Sequence, residues 1–94
     1  MKKPTREDAQ MVLQKAIAET DKKRVGSVYQ PLESVRTQLD YLVEALAHKN
    51  DRQKLGDIII GRYAAYEFEP SDPDYANILY EASNVASLML KGRI

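Results

Sequence analysis

The most informative feature of this 94-residue chain is what it lacks. It contains no cysteine, so disulfide frameworks, thiolate zinc sites and a cysteine nucleophile are excluded. Tryptophan is also absent and phenylalanine occurs once, which leaves the packing to aliphatic side chains. A single domain of this size can still form one hydrophobic core without a disulfide or a metal.

An excess of charge of one sign is missing as well. The 14 basic and 14 acidic side chains cancel, which argues against a nucleic-acid-binding protein because such proteins carry a basic excess or stripe. The charges are unevenly distributed, however. Residues 1–54 hold 11 basic and 8 acidic side chains, whereas residues 55–94 hold 3 and 6. The C-terminal half is therefore the more acidic one.

Long apolar runs are absent too. Segments such as Ile58–Ile60 are far shorter than a membrane span, so no membrane association is predicted. The N-terminus leads from two lysines into a charged segment and has no apolar core of a secretory signal. We therefore expect the protein in the cytoplasm.

Four segments show helical periodicity of apolar residues. Thr5, Asn50 and Asp72 are predicted N-caps, and Pro31 and Pro73 suit a first helical turn. Short connections between consecutive helices favour antiparallel neighbours. The sequence thus predicts an all-α fold, a compact antiparallel four-helix bundle in which residues 1–94 form one domain. The expected helices are Arg6–Arg24, Pro31–Lys49, Asp51–Phe68 and Pro73–Leu90.

The third helix is the least regular of the four. A strand over Ile58–Ile60 is the competing prediction, and Gly61 in mid-helix indicates close approach of a neighbouring helix. The last four residues are expected to fray. Ile60 falls off the main side, so we expect this helix to be buried on more than one face. The side chains expected on one broad side are Leu55, Ile58, Ile59, Arg62, Ala65 and Tyr66.

No residue pattern points to catalysis. The one histidine, His48, lies at the end of a predicted helix, where a solvent-facing cation suits the helix dipole, and no second ligand completes a metal site. The glycines form no phosphate-binding loop and the serines no nucleophile elbow. We predict no catalytic residue, no metal and no cofactor.

Acidic and tyrosine side chains crowd the turn between the third and fourth helices. The acids are interpreted either as solvated turn charges or as a patch that faces a partner, and the tyrosines either as half-buried packing residues or as interface anchors. A metal-binding use is disfavoured because the spacing fits no calcium loop. The candidate partner-binding residues are Tyr63, Tyr66, Glu67, Glu69, Asp72, Asp74 and Tyr75.

From Gln38 onward the chain resembles a known family. The residues that carry the resemblance are Gln38, Leu39, Tyr41, Leu55, Gly61, Ala64, Glu67, Phe68, Asp72, Pro73, Leu79, Ala82 and Val85. Their spacing is similar to that of the small immunity proteins of bacterial type VI secretion that protect against an NAD(P)+ glycohydrolase toxin. The resemblance implies a helical protein that binds the toxin domain and occludes its active site.

Three functional hypotheses follow. The first is an immunity protein, a monomer when free, whose partner is a cognate toxin of the NAD(P)+ glycohydrolase type or a related ADP-ribosyltransferase or other nucleotide-using toxin. The alternative is a structural or adaptor bundle that acts through self-association. A small enzyme is the third possibility, and the residue inventory offers it no site.

Overall fold

The computed structural model describes residues 5–94, which form four helical segments and contain no β-strand. Residues 1–4, part of the segment examined for a secretory signal, lie outside this range. The all-α bundle is confirmed, and the strand alternative for Ile58–Ile60 is wrong. The helices are α1 (Arg6–Arg24), α2 (Gln30–Leu46), α3 (Ile60–Tyr63, continued by a π-helical turn over Ala64–Phe68) and α4 (Pro73–Leu90).

Local signals set the ends of α1 and α4, as the sequence predicts. The Thr5 hydroxyl accepts a hydrogen bond from the Asp8 backbone N–H at 3.1 Å, and the Asp8 carboxylate accepts one from the Thr5 N–H at 3.0 Å. This reciprocal capping box satisfies two donors that a helix start leaves unpaired. After α1, Gly26 turns the chain with φ +71°, a backbone conformation that glycine adopts without strain.

α1 runs antiparallel to both α2 and α4. At its C-terminal end, Arg24 pairs with Glu33 in the first turn of α2, and Thr20 meets Tyr75 in the first turn of α4. The large side chains that are fully buried between the helices are almost all aliphatic, and each stabilises the fold by about 1.5–3 kcal/mol. They are Leu13, Val35, Leu39, Leu42, Leu46, Ile60 and Leu79.

The third segment departs from the prediction of one continuous helix. Asn50 does not cap a helix; its side chain accepts a hydrogen bond from the Arg52 N–H at 3.0 Å in a turn. A 3₁₀ turn follows over Leu55–Asp57, and the α-helix begins only at Ile60. Side chains of α2 hold this irregular backbone, since Gln38 accepts a hydrogen bond from the Ile59 N–H at 2.7 Å.

The late start of α3 changes which side chains it buries. The predicted face is wrong at Ile59, Arg62 and Tyr66, which are exposed, whereas Ile58 of the same face is partly buried and packs against the core. The buried residues of this segment are Leu55, Ile60, Ala64 and Phe68, of which Leu55 and Ile60 agree with the prediction.

The C-terminal residues are held and not frayed. The Arg52 guanidinium donates to the Ala45 carbonyl at 3.0 Å and to the Ile94 carbonyl at 2.8 Å, and the Ile94 side chain packs on the edge of the core. Arg52 itself adopts φ +61°. It therefore joins the end of α2 to the residues that follow α4.

Gly61 lies where α3 meets α4, which confirms the close approach predicted from the sequence. A Cβ atom added at Gly61 would lie 2.9 Å from the Ser83 hydroxyl oxygen and 3.5 Å from the Ser83 Cβ. The first distance is a clash and the second an ordinary contact. The Ser83 hydroxyl is therefore the group that a methyl side chain at position 61 would displace.

A double-mutant cycle tests this account. We expect Gly61→Ala to be less favourable in the wild-type background than in Ser83→Ala, where no hydroxyl meets the added methyl group. Urea unfolding of the wild type, both single variants and the double variant measures the coupling. An equal effect of Gly61→Ala in both backgrounds contradicts the steric explanation.

Candidate partner-binding surface

Tyr75 is the centre of a buried contact at the end of the bundle where α1 finishes and α4 begins. The residue is 2% exposed, and its hydroxyl lies 2.7 Å from the Thr20 hydroxyl of α1. Its ring meets Phe68 edge-to-face with centroids 4.9 Å apart, and Phe68 in turn meets Tyr29 at 6.1 Å. The Lys23 ammonium lies 4.9 Å from the Tyr75 ring centroid. These contacts join α1, the α1–α2 loop, the π-helical turn and α4.

This environment removes Tyr75 from the candidate partner contacts. Burial raises the pKa of its phenol, which therefore stays protonated, and its hydroxyl is already hydrogen-bonded within the chain. The prediction that Tyr75 anchors a partner is thus corrected, because the side chain lies inside the bundle. It serves the fold.

Asp72 also has a structural role. Its carboxylate caps α4 by accepting a hydrogen bond from the Tyr75 N–H at 3.2 Å, and it forms an ion pair with Lys23. The hydrogen bond from Lys23 lowers the pKa of Asp72. Since Lys23 balances its charge, Asp72 contributes little to an acidic surface.

The other three acids remain exposed. Glu67 accepts a hydrogen bond from the Tyr29 hydroxyl, which raises the pKa of that phenol, and Glu69 accepts one from the Tyr80 hydroxyl at 2.9 Å. Neutral phenols orient these carboxylates without cancelling their charge. Asp74 lies exposed in the first turn of α4, where it also suits the helix dipole.

The two remaining tyrosine candidates differ in exposure. Tyr63 is half-buried and packs against the core, whereas Tyr66 is 77% exposed. Tyr66 belongs to the π-helical turn, in which the Glu69 N–H donates to the Ala64 carbonyl five residues earlier at 2.8 Å. Such turns occur often at functional sites. Here the turn keeps Phe68 inside while Tyr66 faces solvent.

The sequence-based candidates missed the loop between α1 and α2. Val25 is 84% exposed and Val28 98% exposed, and Tyr29 of the same loop bonds Glu67. The signal was present as apolar residues in the longest loop between predicted helices, Val25–Gln30. We call this surface the loop-end surface, and its residues are Val25, Val28, Tyr29, Tyr66, Glu67, Glu69 and Asp74.

Two cations near the loop-end surface, Arg24 and Arg36, are paired with carboxylates of the chain. Arg24 donates hydrogen bonds to Asp21 at 2.9 Å and to Glu33 at 2.5 Å, and the bond to Glu33 is the main reason that the pKa of Arg24 is raised. Arg36 pairs with Asp21 and Asp40. The loop-end surface is therefore apolar around Val28 and Tyr66 and acidic at Glu67, Glu69 and Asp74.

The histidine, metal-site and membrane-span possibilities considered in the sequence analysis give no second candidate site among residues 5–94. His48 is exposed just beyond α2, with φ +57°. Among residues 5–94 no group of three histidine, aspartate or glutamate side chains could hold a metal ion. No helix within the same range is long and apolar enough to cross a membrane.

The sequence model of the Tsi6 family matches residues 8–88, most of the chain. The protein belongs to the Tsi6 family. A solved structure of Tse6 in complex with Tsi6 contains a similar chain, with 27% sequence identity and a TM-score of 0.81 over 89% of this chain and 92% of that one. A comparison with curated protein sequences finds no match. The resemblance drawn from residues 38–94 is thus confirmed and extends through α1.

Removing the Tyr75 hydroxyl tests how this Tsi6-family protein is held together. We expect Tyr75→Phe to lower the free energy of unfolding by about 0.5–1.5 kcal/mol, because the buried hydroxyl pair is lost while Thr20 keeps its bond to the Ala16 carbonyl. Tyr80→Phe, whose hydroxyl bonds an exposed carboxylate, is the control and should change stability less. Urea unfolding of both variants measures the change in the free energy of unfolding. Equal changes would contradict a special role for Tyr75.

The Asp72–Lys23 pair predicts a pH dependence. Because the pKa of Asp72 is lowered in the folded state, its stabilisation is present above the unfolded value of about 3.9 and is lost as the pH falls through the folded value. Asp72→Asn keeps a helix cap but not the charge. We expect the stability difference between wild type and Asp72→Asn to shrink below about pH 4. A difference that stays constant from neutral to acidic pH would contradict this.

Proposed function

We propose that this protein is an immunity protein that binds a cognate secreted antibacterial toxin domain and blocks its active site. One observation carries the proposal: the chain is similar along 89% of its length to a chain in the structure of Tse6 in complex with Tsi6. The match to the Tsi6 family over residues 8–88 supports the same assignment. At 27% identity the likeness covers sequence as well as fold.

The proposed toxin is an NAD(P)+ glycohydrolase or a related ADP-ribosyltransferase or nucleotide-using domain. Positive electrostatic potential in a pocket favours the binding of a phosphorylated nucleotide. The exposed carboxylates Glu67, Glu69 and Asp74 complement such a pocket and would steer the two proteins together. Binding there excludes the substrate without any chemistry by the immunity protein.

In this proposal the protein has no catalytic activity and acts as one 94-residue domain. It is located in the cytoplasm and is a monomer until it binds the toxin. Val25 and Tyr66 add apolar contact area beside the acids. Interfaces gain most of their affinity from a few apolar or aromatic side chains, and charge contributes mainly to the association rate.

Co-expression with the toxin encoded by the adjacent gene tests the function. We expect a stable complex by co-purification, and loss of NAD(P)+ hydrolysis or of the toxin's other nucleotide-consuming activity when the purified immunity protein is added. A stable oligomer of the immunity protein alone, with no toxin binding and no protection of cells, would support the structural or adaptor alternative instead.

Charge reversal tests the acidic part of the surface. Glu67→Lys/Glu69→Lys is expected to slow association by about tenfold or more at low salt, with a smaller effect at high salt because screening weakens steering. Glu44→Lys/Glu81→Lys is the matched control, since it makes the same change in net charge at exposed positions outside the loop-end surface. Stopped-flow association at several ionic strengths measures both. Equal slowing in the two variants would assign the effect to net charge alone.

A further inference from the structure

Exposed large apolar side chains concentrate at the loop-end surface. Among residues 5–94, eight large apolar or aromatic side chains are exposed, and four of them are Val25, Val28, Tyr29 and Tyr66. Single exposed apolar residues are ordinary, whereas a group at one place marks an interaction site. Val28 contributes no burial to the fold, because almost its whole side chain faces solvent.

The α1–α2 loop that carries the valines is firmly held. The Ser27 N–H donates to the Arg24 carbonyl at 3.0 Å, and the Tyr29 N–H donates to the Ser27 hydroxyl at 3.1 Å. The Arg24–Glu33 ion pair joins the helices on either side of the loop. A segment ordered before binding loses less conformational entropy when a partner covers it.

The Tyr29 side chain links the loop to the π-helical turn. Its hydroxyl donates to Glu67 and its ring contacts Phe68, so the loop and the turn that carries Tyr66 are fixed relative to each other. The exposed valines of the loop and the Tyr66 side chain are thereby held in fixed relative positions. Branched valine side chains add stiffness, since they have few rotamers.

The charged residues of the loop-end surface indicate the chemistry of the partner that binds there. Arg24 and Lys23 are already paired with Asp21, Glu33 and Asp72, whereas the adjoining Glu67, Glu69 and Asp74 have no cationic partner among residues 5–94. A complementary partner therefore offers an apolar cleft with basic side chains at its edge. A second copy of this chain is a poor match, because it would bring the same acids.

We propose that the Val25–Tyr29 loop and Tyr66 form the hydrophobic centre of the interface, and that the toxin domain receives them in an apolar cleft rimmed by lysine or arginine. The inference rests on the proposed function and deepens it. Val28 and Tyr66 determine how long the complex lasts, and Glu67, Glu69 and Asp74 determine how fast it forms.

The decisive variant is Val28→Asp in the full-length protein, measured against the purified toxin domain. Since Val28 is almost wholly exposed, we expect an unchanged melting temperature, an affinity at least 100-fold weaker and a faster dissociation rate that high salt does not restore. Tyr66→Ala should weaken binding at least tenfold. Met11→Asp, at an exposed apolar position near the start of α1, is the matched control and should bind like the wild type.

The outcomes separate this inference from the proposed function. If the wild type binds the toxin and Val28→Asp binds equally well, the loop is not the centre of the interface and the immunity function stands. If the wild type does not bind a toxin, both this inference and the proposed immunity function are wrong. If light scattering shows a wild-type dimer that Val28→Asp converts to a monomer, the loop covers a second copy of the chain and the proposed occupant is wrong.

Discussion

The contact between the Tyr75 and Thr20 hydroxyls fixes the beginning of α4 against the end of α1, and the surface at that end of the bundle is built on it. Both groups lie in the core, where the Tyr75 hydroxyl needs a hydrogen-bond partner and the Thr20 hydroxyl, itself bonded to the Ala16 carbonyl, provides one. Phe68 packs on the Tyr75 ring and Tyr29 packs on Phe68, which extends the order to the π-helical turn and the α1–α2 loop. The positions of the exposed residues of the loop-end surface therefore depend on the buried hydrogen bond between Tyr75 and Thr20.

The same contacts divide the acidic residues into two groups. Asp72 lies beside Lys23 and caps α4, so its charge serves the fold. Glu67 and Glu69 accept hydrogen bonds from tyrosine hydroxyls and have no ion-pair partner among residues 5–94, so no cation balances their charge there. An acidic cluster in a sequence is thus a mixture, and the cations supplied by another helix decide which members remain for a partner.

Sequence reasoning succeeded where a few neighbouring residues determine the structure. The bounds of α1 follow from Thr5 and its capping box, and the start of α4 follows from Asp72 and Pro73. It failed for the third segment because Gln38, more than twenty positions away, binds the backbone at Ile59 and delays the helix. Burial of Tyr75 was in principle readable, since it lies four residues before Leu79 on the inner face, but the acids beside it suggested a surface position.

The missed loop residues show why periodicity identifies a core more readily than a binding surface. A regular amphipathic helix directs its apolar side chains inward, so its outer face is polar. Among residues 5–94, the most exposed large apolar side chains lie where the backbone is irregular: Val25 and Val28 are in a loop and Tyr66 is in a π-helical turn. Substitutions at such positions leave the core unchanged. The partner, and not the fold, then determines which side chains are suitable there, and for that reason the periodic pattern of the bundle contains no information about them.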